Sequence, residues 1–296
     1  MRKWLAGILY LLYKKKINRE SARTDILLSV YGHSPTGESL EKLVIWLQGR
    51  GYEFVTPGQL QDYLNGTLGV EKPVWLSFDD GWEANYREVW PVLEKYRVPA
   101  TFFISTKGIE DGYFWFTRAR AARKADPSLS ISEFWEMPNA QRVAAIEALP
   151  AYRGPRVSMT PRQLEEIARS PYVCLANHTD DHVICPNCTP QELEREIAVC
   201  GQKLEQWGGR ACEKVFAYPN GEHAPQNEEI LRELGFRMAC TTEGKYVDKD
   251  TNPFRIPRME IGNRASLPEN ILHIYGIWIP FFARIKRMLG VKRKKK

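Results

Sequence analysis

The sequence predicts one large α/β domain in which parallel strands alternate with helices and curl toward a barrel-like closure. Two observations carry this reading. Short apolar runs, DILLSVY (25–31), VWLSF (74–78) and ATFFIST (100–106), have the composition of strands buried on both faces. Segments of helical periodicity stand between them on short connections, and the number of strand runs favours closure over division into two domains.

In chain order, the first strand ends at Gly32. SLEKLVIWLQGRGY then places Leu40, Leu43, Val44 and Leu47 on one helical face and stops at Gly49 and Gly51. VWLSF is the second strand, with DDG at its carboxyl end and the helix YREVWPVLEKY behind it, and ATFFIST is the third. From Lys107 to Met159 the rhythm breaks into the aromatic run YFWF, the basic segment TRARAARKA and a polar stretch, which predicts a helical insertion serving as a cap. Thr160 and Pro161 open the next helix, a hydroxyl at the N-cap and a proline in the first turn. YVCLAN (172–177), TPQELEREIAVCGQKLEQW, KVFAYP, QNEEILRELGF and MACTT continue the alternation, and FRIPRMEI (254–261) is the last predicted strand. The reading divides the chain into an N-terminal flank (1–23), a barrel (24–265) and an amphipathic basic tail (266–296).

Composition excludes several classes. A chain of 296 residues that is 43% hydrophobic and 26% charged, with mean hydropathy −0.42, is neither disordered nor a multi-span membrane protein. The net charge of +6 is uneven. Residues 1–23 carry seven basic residues against one acid, and residues 284–296 carry eight with none, which leaves the 260 residues between them at −8. A nucleic-acid groove across the folded body is therefore not expected. The apolar run Trp4–Tyr13 is ten residues long, half of the roughly 20 that span a bilayer, and Lys14, Lys15 and Lys16 follow it where a leader would have small residues. An interfacial helix is expected there, and with the tail it suggests a cytoplasmic protein held at the inner face of the cell membrane. Cys185 and Cys188 form CPNC, but no second such pair completes a four-cysteine zinc site, so reduced thiols are expected.

The chemistry concentrates in two short motifs. Asp79 and Asp80, adjacent at a strand's carboxyl end with Gly81 to turn the chain, suit a metal site with one carboxylate as ligand and the other as base. Alone, FDDG reads first as a polar turn. His178 and His182, in HTDDH after the strand YVCLAN, change the weighting: at i and i+4 of a helical turn both imidazoles reach one cation. Two histidines and one aspartate leave coordination positions open, the arrangement of a catalytic site.

SFDDG followed by NHTDDH resembles the first two motifs of the polysaccharide deacetylases, the NodB-type carbohydrate esterases of family 4 kind. LLSVYGHS, VPATFFI and VFAYPNG are similar to further family pieces, and the resemblance spans about residues 25–261 apart from the insertion. It implies a distorted (β/α)7-type barrel and a metal-dependent hydrolase that removes N-acetyl groups from an amino sugar of a polysaccharide or a lipid-linked glycan precursor, for a surface polysaccharide. Asp80, His178 and His182 would hold a divalent cation, most often zinc, with Asp79 as general base; a bound cation lowers the pKa of water from about 15.7 to about 7. A backbone N–H near Tyr218 would stabilise the oxyanion. The family's usual arginine is missing from Phe216-Ala217-Tyr218-Pro219, and Arg258 on the last strand is the expected substitute for orienting Asp79. The histidine acid is open: His273 fits the letters of the fifth motif, and His33 and His223 compete with it. Hydrolysis of another amide, or a non-catalytic carbohydrate-binding relative, are the alternatives. Trp115 and its neighbours could stack on sugar rings or simply pack the insertion.

Overall fold

The computed structural model describes residues 2–208 and 214–288, residue 286 by its backbone alone. Helices α1 (Arg2–Leu12) and α2 (Lys14–Ser21) precede β1 (Leu28–Gly32), α3 (Gly37–Gln48), β2 (Glu53–Phe54), α4 (Pro57–Leu64) and β3 (Pro73–Asp80). A π-helical turn, Asn85–Val89, runs into α5 (Trp90–Tyr96), followed by β4 (Ala100–Ile104) and the inserted helices α6 (Thr106–Asp111), α7 (Trp115–Ala125), α8 (Ile131–Glu136) and α9 (Asn139–Glu147). Then come α10 (Pro161–Ile167), β5 (Val173–Asn177), α11 (Pro190–Gly208), β6 (Val215–Ala217), α12 (Pro225–Glu233), β7 (Met238–Cys240), β8 (Met259–Glu260), α13 (Leu267–Ile274) and α14 (Trp278–Met288).

The strands are parallel in the order β7-β6-β5-β4-β3-β1-β8, with the two-residue β2 beside β3. FRIPRMEI closes the curve: Ile256 bridges to Cys240 at one edge, and Met259 and Glu260 pair with Val30 and Tyr31 at the other. Seven staves result, the expected distorted barrel. Side chains alternate along β3 as the strand period requires. Val74, Leu76 and Phe78 pack against the surrounding helices, while Trp75 points into the interior with Phe103, Val215 and Cys240. Ser77 and Asp79 share the face of Trp75, so the period alone aims Asp79 into the barrel.

Helix starts follow their local chemistry. Thr160 accepts the Gln163 backbone N–H and the Gln163 side chain accepts the Thr160 N–H, a reciprocal cap with Pro161 in the first turn. Thr56 and Gln59 repeat it on α4. The insertion has its own core of Phe114, Trp115, Phe116, Phe134 and Ile146.

The flanks set apart by composition join the main core. Ala6, Leu9 and Ile17 are buried there with Ile274, Tyr275, Ile277 and Trp278. Arg2 pairs with the buried carboxylate of Glu269 and lies 5.7 Å over the Trp278 ring. Among the described residues no helix is long and apolar enough to cross a membrane. The lysine run 292–296 and Cys212 lie outside the described residues.

Candidate active site and metal centre

The site forms where β3 and β5 end. β3 runs two residues beyond the apolar VWLSF, so that Asp79 and Asp80 are its last members. Asp80 has φ 76° and Gly81 φ 95°, which swings the Asp80 carboxylate off the strand's alternation. The positive φ favours glycine at 81, and a Cβ there would also press on the Ile109 side chain at 3.0 Å.

Asp79 is buried beneath Arg258, which donates to both of its oxygens at 2.8 and 2.7 Å. Arg258 is itself fully buried; it also donates to the Ser77 hydroxyl and the Thr241 carbonyl, and its guanidinium lies 4.4 Å from the Tyr31 ring centre. Burial pushes the Asp79 carboxyl up, but the Arg258 charge overrides it and holds the group below its ordinary range.

The HTDDH segment is not the helical turn expected from its i, i+4 spacing. It is a loop in which Thr179 and His182 take left-handed backbone angles, φ 65° and 46°. Local bonds fix it: the Asn177 side chain accepts the Thr179 N–H, the Thr179 hydroxyl accepts the Val183 N–H, and the Ser105 hydroxyl donates to the His178 carbonyl. The loop delivers both Nε2 atoms to Asp80 Oδ1, at 3.4 Å from His178 and 3.3 Å from His182.

This arrangement fits a cation. Each of the three residues offers a ligand atom within 4.8 Å of the others, and all three are buried. His178 Nδ1 lies 2.7 Å from the Ala217 carbonyl, which can only accept, so the proton sits on Nδ1 and Nε2 presents its lone pair to Asp80. Asp80 Oδ2 is occupied by the Trp82 indole N–H at 2.8 Å, whereas Oδ1 has no hydrogen-bond partner. A carboxylate oxygen facing an imidazole lone pair needs a positive charge between them. Burial pushes the Asp80 carboxyl up, and only positive charge beside it holds it well below the usual range: the imidazoles when protonated, or a cation when they are neutral ligands. Burial lowers the His182 pKa against the pull of Asp80, which favours the neutral, ligating form.

The family model for polysaccharide deacetylases matches residues 69–239, more than half of the chain and spanning both motifs. The chain belongs to the polysaccharide deacetylase family. Among curated relatives, YxkH of Bacillus subtilis (strain 168) is 24% identical over 217 residues, covering 73% of this chain and 61% of that protein, so the chain spans less than two thirds of that relative's length. The poly-beta-1,6-N-acetyl-D-glucosamine N-deacetylase of Staphylococcus epidermidis is 22% identical over 243 residues, 80% of this chain and 71% of that one. The fold is similar to that of IcaB from Ammonifex degensii (TM-score 0.63, 22% identity, 86% of this chain and 97% of that one) and of the Streptococcus pyogenes deacetylase PplD in complex with acetate (0.62, 18%, 84% and 97%).

Within this deacetylase barrel, the other expected residues divide. His33 follows β1, whose last residue Gly32 pairs with Phe78, so it stands at the same end of the sheet as Asp79 and Asp80. His223 stacks on Tyr218, ring centres 5.1 Å apart. His273 is not brought to the cluster; on α13 it lies against Trp278, 5.7 Å away, and feels the charge of Arg2. Its motif letters fall in a helix that covers the outside of the barrel. The Tyr218 amide is no oxyanion donor, because β6–β7 pairing gives its N–H to the Cys240 carbonyl. Trp115 is buried and donates its indole N–H to the His182 carbonyl at 3.3 Å, so packing, not an open stacking platform, accounts for it. Cys185 and Cys188 are free thiols in a short 3-10 turn, packed with Val183 and Leu193.

The sequence reading missed three supports. Trp82 orients Asp80. Arg142 of α9, 2% exposed, donates to Asp181 at 2.9 Å and to Asn139, and lies 4.9 Å over the Trp115 ring. Asp180 accepts from Thr106 and Lys203. Arg142 carries no local signal, since its partner is thirty-nine residues away.

Proposed function

We propose that the chain is a zinc-dependent hydrolase that removes N-acetyl groups from amino sugars of a polysaccharide or of its lipid-linked precursor. The observation that carries this is the division of labour between adjacent aspartates: Asp80 converges with two imidazole nitrogens, while Asp79 is held through both oxygens by Arg258 and kept ionised. The Staphylococcus epidermidis relative, named for poly-beta-1,6-N-acetyl-D-glucosamine, supports the substrate class.

Asp80 Oδ1 and the Nε2 atoms of His178 and His182 would hold the ion. A divalent cation there supplies Lewis-acid polarisation of the acetamide carbonyl and activation of water. Asp79 takes the proton from the water that adds to the carbonyl carbon. Arg258 keeps that carboxylate oriented through both oxygens, which retain further lone pairs for the proton. The carbon–nitrogen bond then breaks, the amine leaving with a proton for which His33 is the proposed donor, since it follows β1 at the same end of the sheet as both aspartates. The products are acetate and the free amino sugar. The buried Arg142–Asp181 pair and the Trp115 bond restrain the loop that carries His182.

The test is acetate release from a panel of N-acetylated glycans and lipid-linked sugars by the zinc-loaded chain, with Asp79→Asn as control. Release abolished by Asp79→Asn supports the proposal; a zinc-loaded chain that frees no acetate from any member of the panel refutes it.

A further inference from the structure

The two basic, apolar flanks lie some 270 residues apart in sequence, yet the fold docks them on the same side of the barrel. α1 packs along α13, α14 follows α13, and a groove of about 370 Å³ separates the α1–α2 junction from α14. Six large hydrophobic side chains stand exposed among the described residues, and five of them are on these helices: Trp4 (71%), Leu11 (68%), Leu12 (72%), Ile279 (60%) and Met288 (78%).

Their placement is ordered. At 100° per residue, Trp4, Ile8, Leu11 and Leu12 fall on one face of α1, opposite the buried Ala6 and Leu9. A helix apolar on both sides is a helix with two apolar neighbours. The barrel is one of them, through Ala6, Leu9 and the Arg2–Glu269 pair, which fixes the outer stripe as a rigid surface. Cations border that stripe. Lys14 and Lys15 are exposed immediately after it, Arg284 and Arg287 are exposed on α14, and Lys16 and Arg284 both line the groove with Tyr13, Ile277 and Phe281.

We infer that this face docks the protein on an anionic phospholipid bilayer, with Trp4, Leu11 and Leu12 entering the acyl boundary and the cations of α2 and α14 meeting headgroup phosphates. Charge complementarity selects this occupant. A protein partner needs apolar contact and a nucleic acid needs cations, whereas a stripe of exposed apolar side chains edged by lysine and arginine on helices too short to span matches a lipid surface on both counts. The inference does not depend on the hydrolase reading, since it concerns no residue of the metal or base cluster.

The experiment is co-flotation of the full chain with phosphatidylcholine vesicles and with vesicles of phosphatidylcholine and phosphatidylglycerol. Binding is expected to the second, weakened by salt. Each cation near such a surface is worth about fivefold in partition, so Lys14→Gln with Lys15→Gln and Lys16→Gln should reduce it roughly a hundredfold. Leu11→Gln with Leu12→Gln should reduce it by a similar factor, at about tenfold or more for each lost apolar side chain. Leu11, Leu12, Lys14 and Lys15 are exposed and Lys16 is half-buried at the groove, and unchanged thermal melts confirm that both variants fold. No flotation, or flotation indifferent to both variants, overturns the inference. So does a chain that self-associates through this face, seen as a dimer dispersed by Leu11→Gln and Leu12→Gln, or one that retains nucleic acid but not vesicles.

Discussion

Replacing Arg258 with methionine probes the centre of the site. Methionine is of similar length and apolar, so the packing against Tyr31 and Phe103 largely survives. What is lost is the pair of bonds to Asp79 at 2.8 and 2.7 Å and those to Ser77 and Thr241, and a buried carboxylate is left without its cation. Removing one member of a buried pair costs about 3–5 kcal/mol. For a chain of this length, with an unfolding entropy of about 0.6 kcal/mol/K, that is a Tm lowered by roughly 5–8 °C. The pH dependence follows from the sign of the shift. In the native chain the Asp79 pKa is depressed, so its contribution is present above the ordinary carboxylate range and is lost as pH falls through the folded pKa. Without Arg258 the largest opposing charge is gone, burial dominates and the pKa rises. The variant's deficit is then largest near neutrality and shrinks below about pH 4 as the carboxyl takes up its proton. The assays are thermal melts across this range and acetate release at saturating zinc. A variant with native Tm at neutral pH and undiminished acetate release would refute both the structural pairing and the role given to Arg258.

Three further outcomes are expected. Zinc at a hundred times its dissociation constant adds about 2.7 kcal/mol to the native chain; chelation should therefore lower its Tm, and neither Asp80→Asn nor His178→Ala should show this response or retain stoichiometric metal by elemental analysis. Arg142→Met, which frees Asp181 beside His182, should weaken zinc binding about tenfold in a chelator competition; unchanged affinity would show that the insertion does not position His182. Glu196 accepts the Asp181 backbone N–H, and burial with its acidic neighbours raises its pKa to about 7. A raised carboxyl pKa stabilises below the unfolded value and loses that contribution as pH climbs through the folded one, so Glu196→Gln should stabilise the chain above pH ~7 by on the order of 2 kcal/mol and flatten the slope between about pH 5 and 7. Denaturant titrations at several pH values read this directly, and a slope that persists in the variant would locate the titration elsewhere.

The legible parts of this protein are those written in local pattern. Apolar runs gave the staves because a strand buried on both faces needs no alternation, and Thr160 with Pro161 marked a helix start because capping is chemistry between neighbours. Asp79, Asp80, His178 and His182 were legible because they sit at or just past strand ends, where sequence and spatial position coincide. The HTDDH spacing suggested a helical turn; the loop instead reaches the same convergence through left-handed angles at Thr179 and His182, which no spacing rule contains.

What tertiary structure alone decided involves partners distant in sequence. Arg258 meets Asp79 across 179 residues because FRIPRMEI is the stave that closes the barrel, and closure brings its interior face against β3. Tyr218 loses its amide to Cys240 by strand pairing, and His273 is carried to the outer wall by its helix. The charge asymmetry of the chain was in the sequence from the start, but a linear sum cannot say that α1 and the α13–α14 pair share one side of the barrel. Packing of α1 along α13 does, and it turns two separated apolar, basic segments into one surface. Sequence fixes which side chains are available and their local geometry, while the fold alone sets which distant ones share a dielectric, a proton or a ligand.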